Sequence, residues 1–283
     1  ADQHTQISQY RGVVTLNNGV TMPLLGLGTF RLRGLQNIIK AVDTALANGY
    51  RSFDTARVYR NEADLGCALR QLLPLYGLTR SDIFITTREA CLQSLEELGC
   101  EYLDLYLIHW PGRQGWKSDD TRNAEARKEA WNAIEDLYKA GVIRAIGVSN
   151  YTESHLEQLL TYCSVRPAVL QVEFHPQLPQ THLLRWCQEN GVHLQAYSSL
   201  GCGELLGKEE VKKVASTHKK TPSQVLLRWA LDQGVGVIPK SCDPDRIKDN
   251  FCVWDFKLSE EEMQAMSVNE HQQKFCWDPT GVA

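Results

Sequence analysis

Six apolar runs of this chain end on polar side chains able to do chemistry. "FDTARVY" supplies Asp54 and Tyr59, "LIHW" supplies His109 and Trp110, and "VSN" supplies Ser149 and Asn150. "QVEFH" supplies Gln171, Glu173 and His175, "QAYSSLG" supplies Tyr197 to Ser199, and "IPKS" supplies Lys240 and Ser241, with Arg246 a few residues on. Phenol, carboxylate and imidazole are groups that give and take protons in general acid–base catalysis. Each residue alone has a plainer explanation. An Asp or Ser after a strand is often a helix N-cap, and a lone His is more often a hydrogen-bonded core residue. Capping accounts for Asp54 and Ser149. It does not account for His109, which ends a strongly apolar run.

The elements that would gather these residues alternate regularly. Apolar runs fall at 24–28, 52–55, 83–87, 103–109, 145–149, 169–174, 194–198 and 235–240. Each is followed by an amphipathic stretch, at 38–48, 62–73, 89–98, 129–140, 154–162, 182–189, 222–231 and 245–252. Many of the runs are too continuously apolar for a one-sided sheet, which predicts strands buried on both faces. Eight strand–helix units in under 300 residues suit a closed (β/α)₈ barrel, in which chemistry sits at the C-terminal strand ends. No G-x-G-x-x-G follows any strand, so a Rossmann site is disfavoured. "NNG" at 17–19 reads as a hairpin turn ahead of the barrel. Extra helices are expected at 208–216 and 259–266. No compositional break divides the chain, which reads as one domain over 1–283.

Composition bounds the partners. The net charge of −4 and pI near 6.1 give no electrostatic reason to expect nucleic acid or an anionic membrane. No apolar run approaches the roughly 18 residues of a membrane span. The polar N-terminus does not read as a signal peptide, and the nine Cys contain no C-x-x-C pair. The expectation is a monomeric cytoplasmic protein with reduced thiols, no structural metal and a small-molecule substrate.

The motifs "GLGTF", "SFDTARVYRNEADLG", "YLDLYLIHWPG", "AIGVSNY", "LQVEFHP", "QAYSSLG" and "IPKS", in this order, resemble segments of the aldo-keto reductase family. The resemblance covers nearly the whole chain. It implies a TIM barrel that reduces carbonyls to alcohols with NADPH. Residue by residue, it makes Tyr59 the general acid, Asp54 the carboxylate beside it and His109 the imidazole that orients the carbonyl. Ser149, Asn150 and Gln171 would hold the nicotinamide carboxamide, and Tyr197 would stack on the ring. Thr29, Asp54, Ser198 and Leu200 also fall at cofactor positions. Lys240, Ser241, Arg246 and Asn250 would take the 2′-phosphate and adenine, with Asp243 nearby as an opposing charge. Phe30, Trp110 and Trp277 resemble apolar walls of a substrate pocket, under a tail "FCWDPTGVA", and favour aromatic or medium aliphatic aldehydes over sugars.

At one point the chain departs from the pattern. An unperturbed Tyr has a pKa of about 10, and a nearby ammonium lowers it. In the family a lysine directly after the third barrel strand does this, paired with the aspartate. Here "FITT" runs straight into "REACLQS", short by roughly 10–12 residues within boundary error. The helical pattern resumes at Glu89, so Arg88 is expected in the helix and not in the lysine's place. Strand-to-helix connections usually need roughly 2–6 residues, so either a loop spans this join or the deletion is real. A real deletion predicts an unpartnered Asp54, a Tyr59 near its ordinary pKa, and weak reduction. It also favours the alternative of a catalytically silent NADP(H)-binding barrel acting as sensor, scaffold or regulatory subunit. A hydrolase or isomerase would need paired carboxylates or a metal cluster at the rim, and the sequence offers neither.

Overall fold

The computed structural model describes residues 7–8, 12–268 and 272–283. A small antiparallel sheet comes first, of β1 (Ile7–Ser8), β2 (Val13–Thr15) and β3 (Thr21–Pro23). The Asn-Asn-Gly turn joins β2 to β3. Gly19 takes a φ of +85°, which glycine adopts without a Cβ penalty, and its N–H donates to Leu16 O at 2.9 Å. The Asn17 and Asn18 amides donate to Pro167 O and Arg144 O, both 2.9 Å away. Those carbonyls lie where two barrel strands begin, so the hairpin covers the end of the barrel opposite the polar strand ends.

Eight parallel strands follow: β4 (Leu27–Gly28), β5 (Ser52–Asp54), β6 (Phe84–Arg88), β7 (Leu103–Ile108), β8 (Ile143–Ser149), β9 (Val169–Glu173), β10 (His193–Tyr197) and β11 (Gly236–Val237). Each pairs with the next in sequence. The barrel closes where Val237 N–H donates to Leu24 O at 2.7 Å and Gly26 N–H to Val237 O at 2.9 Å. The closing strands are shorter than the apolar runs at 24–28 and 235–240. Pro239 has no N–H and contributes only its carbonyl, which accepts from Gly28 N–H at 3.1 Å.

The outer ring is α1 (Leu35–Ala47), α2 (Glu62–Leu72), α3 (Cys91–Leu98), α4 (Asn123–Lys139), α5 (Glu153–Tyr162) and α6 (Thr181–Asn190). It continues with α8 (Pro222–Leu231) and α9 (Pro244–Phe251). The helices α7 (Glu209–His218) and α10 (Glu260–Met266) are the two additions. Start signals are local. Thr221 and Gln224 form a capping box on α8, Ser259 and Glu262 form one on α10, and Asp243 caps α9. Asp104, which interrupts the apolar run of β7, is buried and ion-paired with Arg80 and Arg144. Among the described residues no helix is long and apolar enough to cross a membrane.

The join at Thr87 and Arg88 corrects one expectation. Arg88 is not helical. It is the last residue of β6 and pairs with Leu107 of β7. The reversal falls instead on Glu89 and Ala90, at φ +70° and +42°, and α3 starts only at Cys91. These two residues form the entire strand-to-helix connection. Left-handed backbone at two successive non-glycine residues is uncommon and costs conformational energy.

Candidate active site

Alternation along β6 decides what each residue meets. Thr87 faces outward and donates to Glu62 Oε1 of α2 at 2.5 Å, while Ser94 of α3 donates to the other oxygen at 3.0 Å. Burial pushes the Glu62 carboxyl up, against those two hydrogen bonds. Arg88 therefore faces into the barrel. Its side chain is 2% exposed and forms an ion pair and hydrogen bond with Asp54 at the end of β5. Its other terminal nitrogen donates to Gln171 Oε1 of β9 at 2.9 Å and lies 3.4 Å from the Tyr59 hydroxyl. Gln171 Nε2 donates to Asp54 Oδ2 at 2.9 Å and to Gln195 Oε1 at 2.8 Å. One buried guanidinium thus links strands on opposite sides of the barrel.

Two further expectations about this join are corrected. Asp54 has a cationic partner, because a guanidinium reaches it from the strand end. Tyr59 does not sit near its ordinary pKa. Burial raises it, and the Asp54 and Glu89 charges add to the rise, with Arg88 opposing them. Arg88 itself is held above its ordinary value. Desolvation works against its charge, but Asp54 and Tyr59 outweigh it.

Tyr59 ends a short 3₁₀ turn, Arg57–Tyr59, directly after β5. Its ring packs 5.1 Å from Phe30 and meets His109 edge-on at 6.4 Å between centroids. His109 follows β7. Its Nδ1 lies 2.8 Å from Glu89 Oε1, and Glu89 Oε2 accepts the Val58 N–H at 3.0 Å. On the next strands, Tyr197 OH donates to Asn150 Oδ1 at 2.5 Å, and Asn150 Nδ2 donates to His109 O at 3.0 Å and Ser149 Oγ at 3.2 Å. Thr29 is buried and donates to Asp54 O at 2.9 Å.

The second cluster lies at β11 and α9. Asp243 accepts the Arg246 N–H at 3.0 Å, so this opposing carboxylate serves as the helix cap, and its own N–H donates to Ser241 Oγ at 3.1 Å. Lys240 and Arg246 are exposed, and among the described residues neither is in an ion pair with another. Asn250 is buried with its Oδ1 unpartnered. The tail is held by a residue whose role the sequence did not reveal. Glu173 Oε1 and Oε2 accept the Phe275 and Cys276 N–H groups at 2.6 and 3.1 Å, with His175 Nε2 2.9 Å from the same carboxylate. Cys276 Sγ lies 3.3 Å from Ser198 Oγ, which puts this part of the tail at the end of β10. Trp277 beyond it is 61% exposed and Phe30 41%.

A family model described as "Aldo/keto reductase family" matches residues 24–269. The chain belongs to the aldo/keto reductase family. It is 43% identical to the uncharacterized oxidoreductase YtbE of Bacillus subtilis (strain 168) over 270 residues, covering 91% of this chain and 92% of the relative. It is 42% identical over the same length to the glyoxal reductase of that bacterium, with the same coverage. Among solved structures, the aldose reductase of Schistosoma japonicum superposes with a TM-score of 0.84 at 38% identity, covering 92% of each chain. As an aldo/keto reductase this chain is an oxidoreductase of carbonyl chemistry on a (β/α)₈ barrel.

Proposed function

We propose that this aldo/keto reductase reduces aldehydes and ketones to alcohols with NADPH, with Tyr59 as general acid. The observation that carries the reading is the buried Arg88 guanidinium bonded to Asp54 beside the Tyr59 hydroxyl. When bound, the nicotinamide cofactor supplies the hydride. The oxygen that gains charge must then receive a proton, and the Tyr59 O–H is the donor. Arg88 stabilises the phenolate left behind and opposes, without cancelling, the burial that raises Tyr59. His109, whose ring meets that of Tyr59 edge-on, would orient that oxygen.

The cofactor suits the residues present. Gln171 Oε1 accepts from Arg88 and keeps a second lone pair for a carboxamide N–H. Ser149 and Asn150 supply the remaining amide partners, and the Tyr197 ring, fixed through Asn150, is the stacking face. The unpartnered Asn250 Oδ1 fits an adenine amino group, and Lys240, Ser241 and Arg246 fit the 2′-phosphate. Thr29, Ser198 and Leu200 complete the cofactor positions. Phe30 and Trp110 favour apolar aldehydes, and the relatives named glyoxal and methylglyoxal reductases extend the substrate class to short dicarbonyls.

Two measurements test the reading. Assayed by kcat/KM against a panel of aldehydes, ketones and sugars, the protein should prefer aldehydes, and a best rate on sugars overturns the substrate class. Dissociation constants measured by fluorescence should favour NADPH over NADH. Arg246→Ala should weaken NADPH by roughly tenfold, the worth of one charge-assisted hydrogen bond of about 1.5 kcal/mol, and leave NADH unchanged. Equal affinities for the two cofactors remove the 2′-phosphate assignment. Tight NADPH binding with no turnover on any carbonyl supports the silent-barrel alternative instead.

A further inference from the structure

We propose that Cys202 and Cys276 form a thiol-oxidation site, at which a hydroperoxide closes a reversible disulfide that staples the tail to the turn after β10. Turn and tail both border the proposed substrate pocket, so the cross-link restricts how that pocket opens. This last consequence rests on the carbonyl-reducing reading above. The disulfide itself does not.

The placement begins with the backbone. The turn is a 3₁₀ segment, Gly201–Gly207, just beyond the strand end that carries Ser198. Cys202 is exposed, at φ +54°, and its thiol donates to Ser198 Oγ at 3.9 Å. Cys276 is half-buried and brings its Sγ to 3.3 Å from the same oxygen. Two sulfurs far apart in sequence thus share one hydroxyl. The tail is held there independently of the thiols. Glu173 accepts the Phe275 and Cys276 N–H groups, and Phe275 packs so closely on the turn that a Cβ on Gly201 would fall 2.9 Å from its ring. Gly201 and Gly203 flank Cys202 at φ +55° and +96°. Glycine adopts such backbone without a Cβ penalty, so the turn can re-form around a displaced sulfur.

The two thiols take different parts. Cys202, being exposed, meets the oxidant first. Burial pushes the Cys276 thiol up to about 11, with the Glu173 charge and the nearby Cys202 adding to the rise and the Ser198 hydrogen bond opposing it. Cys276 is therefore the resolving thiol. The Cys202 sulfur takes one oxygen of the hydroperoxide as the O–O bond breaks, giving a sulfenic acid. The Cys276 sulfur then attacks the Cys202 sulfur. The S–S bond forms, the S–O bond breaks, and the departing hydroxide takes the Cys276 proton and leaves as water. In all, two thiols lose two protons and two electrons, and one hydrogen peroxide becomes two waters. A dithiol reductant reverses the change. Among the described residues no other two cysteines share a hydrogen-bond partner.

The test treats the wild-type protein and Cys202→Ser with a small excess of hydrogen peroxide, blocks the remaining thiols and maps the peptides by mass. The wild type should yield a Cys202–Cys276 cross-linked peptide, two hydrogens lighter than its parts and absent after dithiothreitol. Cys202→Ser and Cys276→Ser should yield none. Oxidation of Cys202 to a sulfinic acid without the cross-link, or its pairing with another cysteine, overturns the proposal. The staple closes a long loop, so the oxidised wild type should melt several degrees above the reduced protein, and peroxide should not raise the melting temperature of Cys202→Ser. A cross-link that leaves the melting temperature unmoved overturns the staple. Trp277 adjoins Cys276 and is then fixed beside the pocket. The kcat/KM for a bulky aromatic aldehyde should therefore fall severalfold on oxidation and recover with dithiothreitol, while Cys202→Ser keeps its rate throughout. An oxidised wild type with an unaltered rate overturns the effect on the pocket. If the reduced wild type reduces no carbonyl, the reductase reading has failed, and the peptide map and melting temperatures alone decide the disulfide.

Discussion

Arg88→Met is expected to lower the melting temperature by roughly 10 °C and to reduce carbonyl turnover at least tenfold. The stability loss follows from burial. Asp54 is 3% exposed, and its charge is met by Arg88 and by one Gln171 amide hydrogen. Removing one partner of a buried ion pair costs about 3–5 kcal/mol, because the other charge stays buried and uncompensated. In a protein of this size each kcal/mol moves the melting temperature by about 2–4 °C. The activity loss follows from Tyr59, whose proton becomes harder to give once the one charge lowering its pKa is gone. Arg88→Met/Asp54→Asn should recover more than half of the lost stability, since neither charge remains, but none of the lost activity. Calorimetry on both variants checks this. A melting temperature unchanged in Arg88→Met would mean that water or another cation meets Asp54.

Arg88→Lys separates charge from geometry. The guanidinium bonds Asp54 and Gln171 at once through a planar fork, which an ammonium cannot reproduce. The lysine variant should therefore keep most of the ion pair but release Gln171 Oε1, and its activity should lie between those of wild type and Arg88→Met.

Much of this site is legible in the sequence, for a definite reason. Asp54, Ser149, Gln171 and Tyr197 lie on barrel strands and His109 directly after one. Polar side chains within or at the end of apolar runs stand out against a strict pattern. The barrel then brings them together, because parallel strands all end on one face. The end of β6 is illegible for an equally definite reason. Turns are read from Gly, Pro, Asn and Asp, and Glu89 and Ala90 are none of these. Glu89 also matches helical spacing, so the pattern assigns it to α3 and carries Arg88 along. Only the backbone shows that both reach the other candidate residues. Glu173 is hidden differently. Its partners, the Phe275 and Cys276 amides, are 102 and 103 residues away, and no local pattern predicts where a tail returns.

Tyr59→Phe tests the chemistry itself. The substitution removes one oxygen. The Phe30 and His109 ring contacts at 5.1 and 6.4 Å should survive, and so should the Arg88–Asp54–Gln171 network. Among the described residues the hydroxyl's one bond is the 3.4 Å contact with Arg88, so stability should change by less than about 1 kcal/mol, the net worth of an ordinary hydrogen bond. NADPH affinity should be nearly unchanged, because no cofactor-holding role falls on the phenol. Turnover should fall by two or more orders of magnitude, the usual contribution of a positioned general acid. A variant that keeps its kcat would move the proton donor elsewhere. His109 is then the next candidate, since its ring lies edge-on to that of Tyr59. The double variant Tyr59→Phe/His109→Gln decides between them. If Tyr59 is the donor, adding His109→Gln loosens the placement of the carbonyl and raises the KM of the residual activity. If His109 is the donor, the second substitution lowers a rate that Tyr59→Phe alone had left intact.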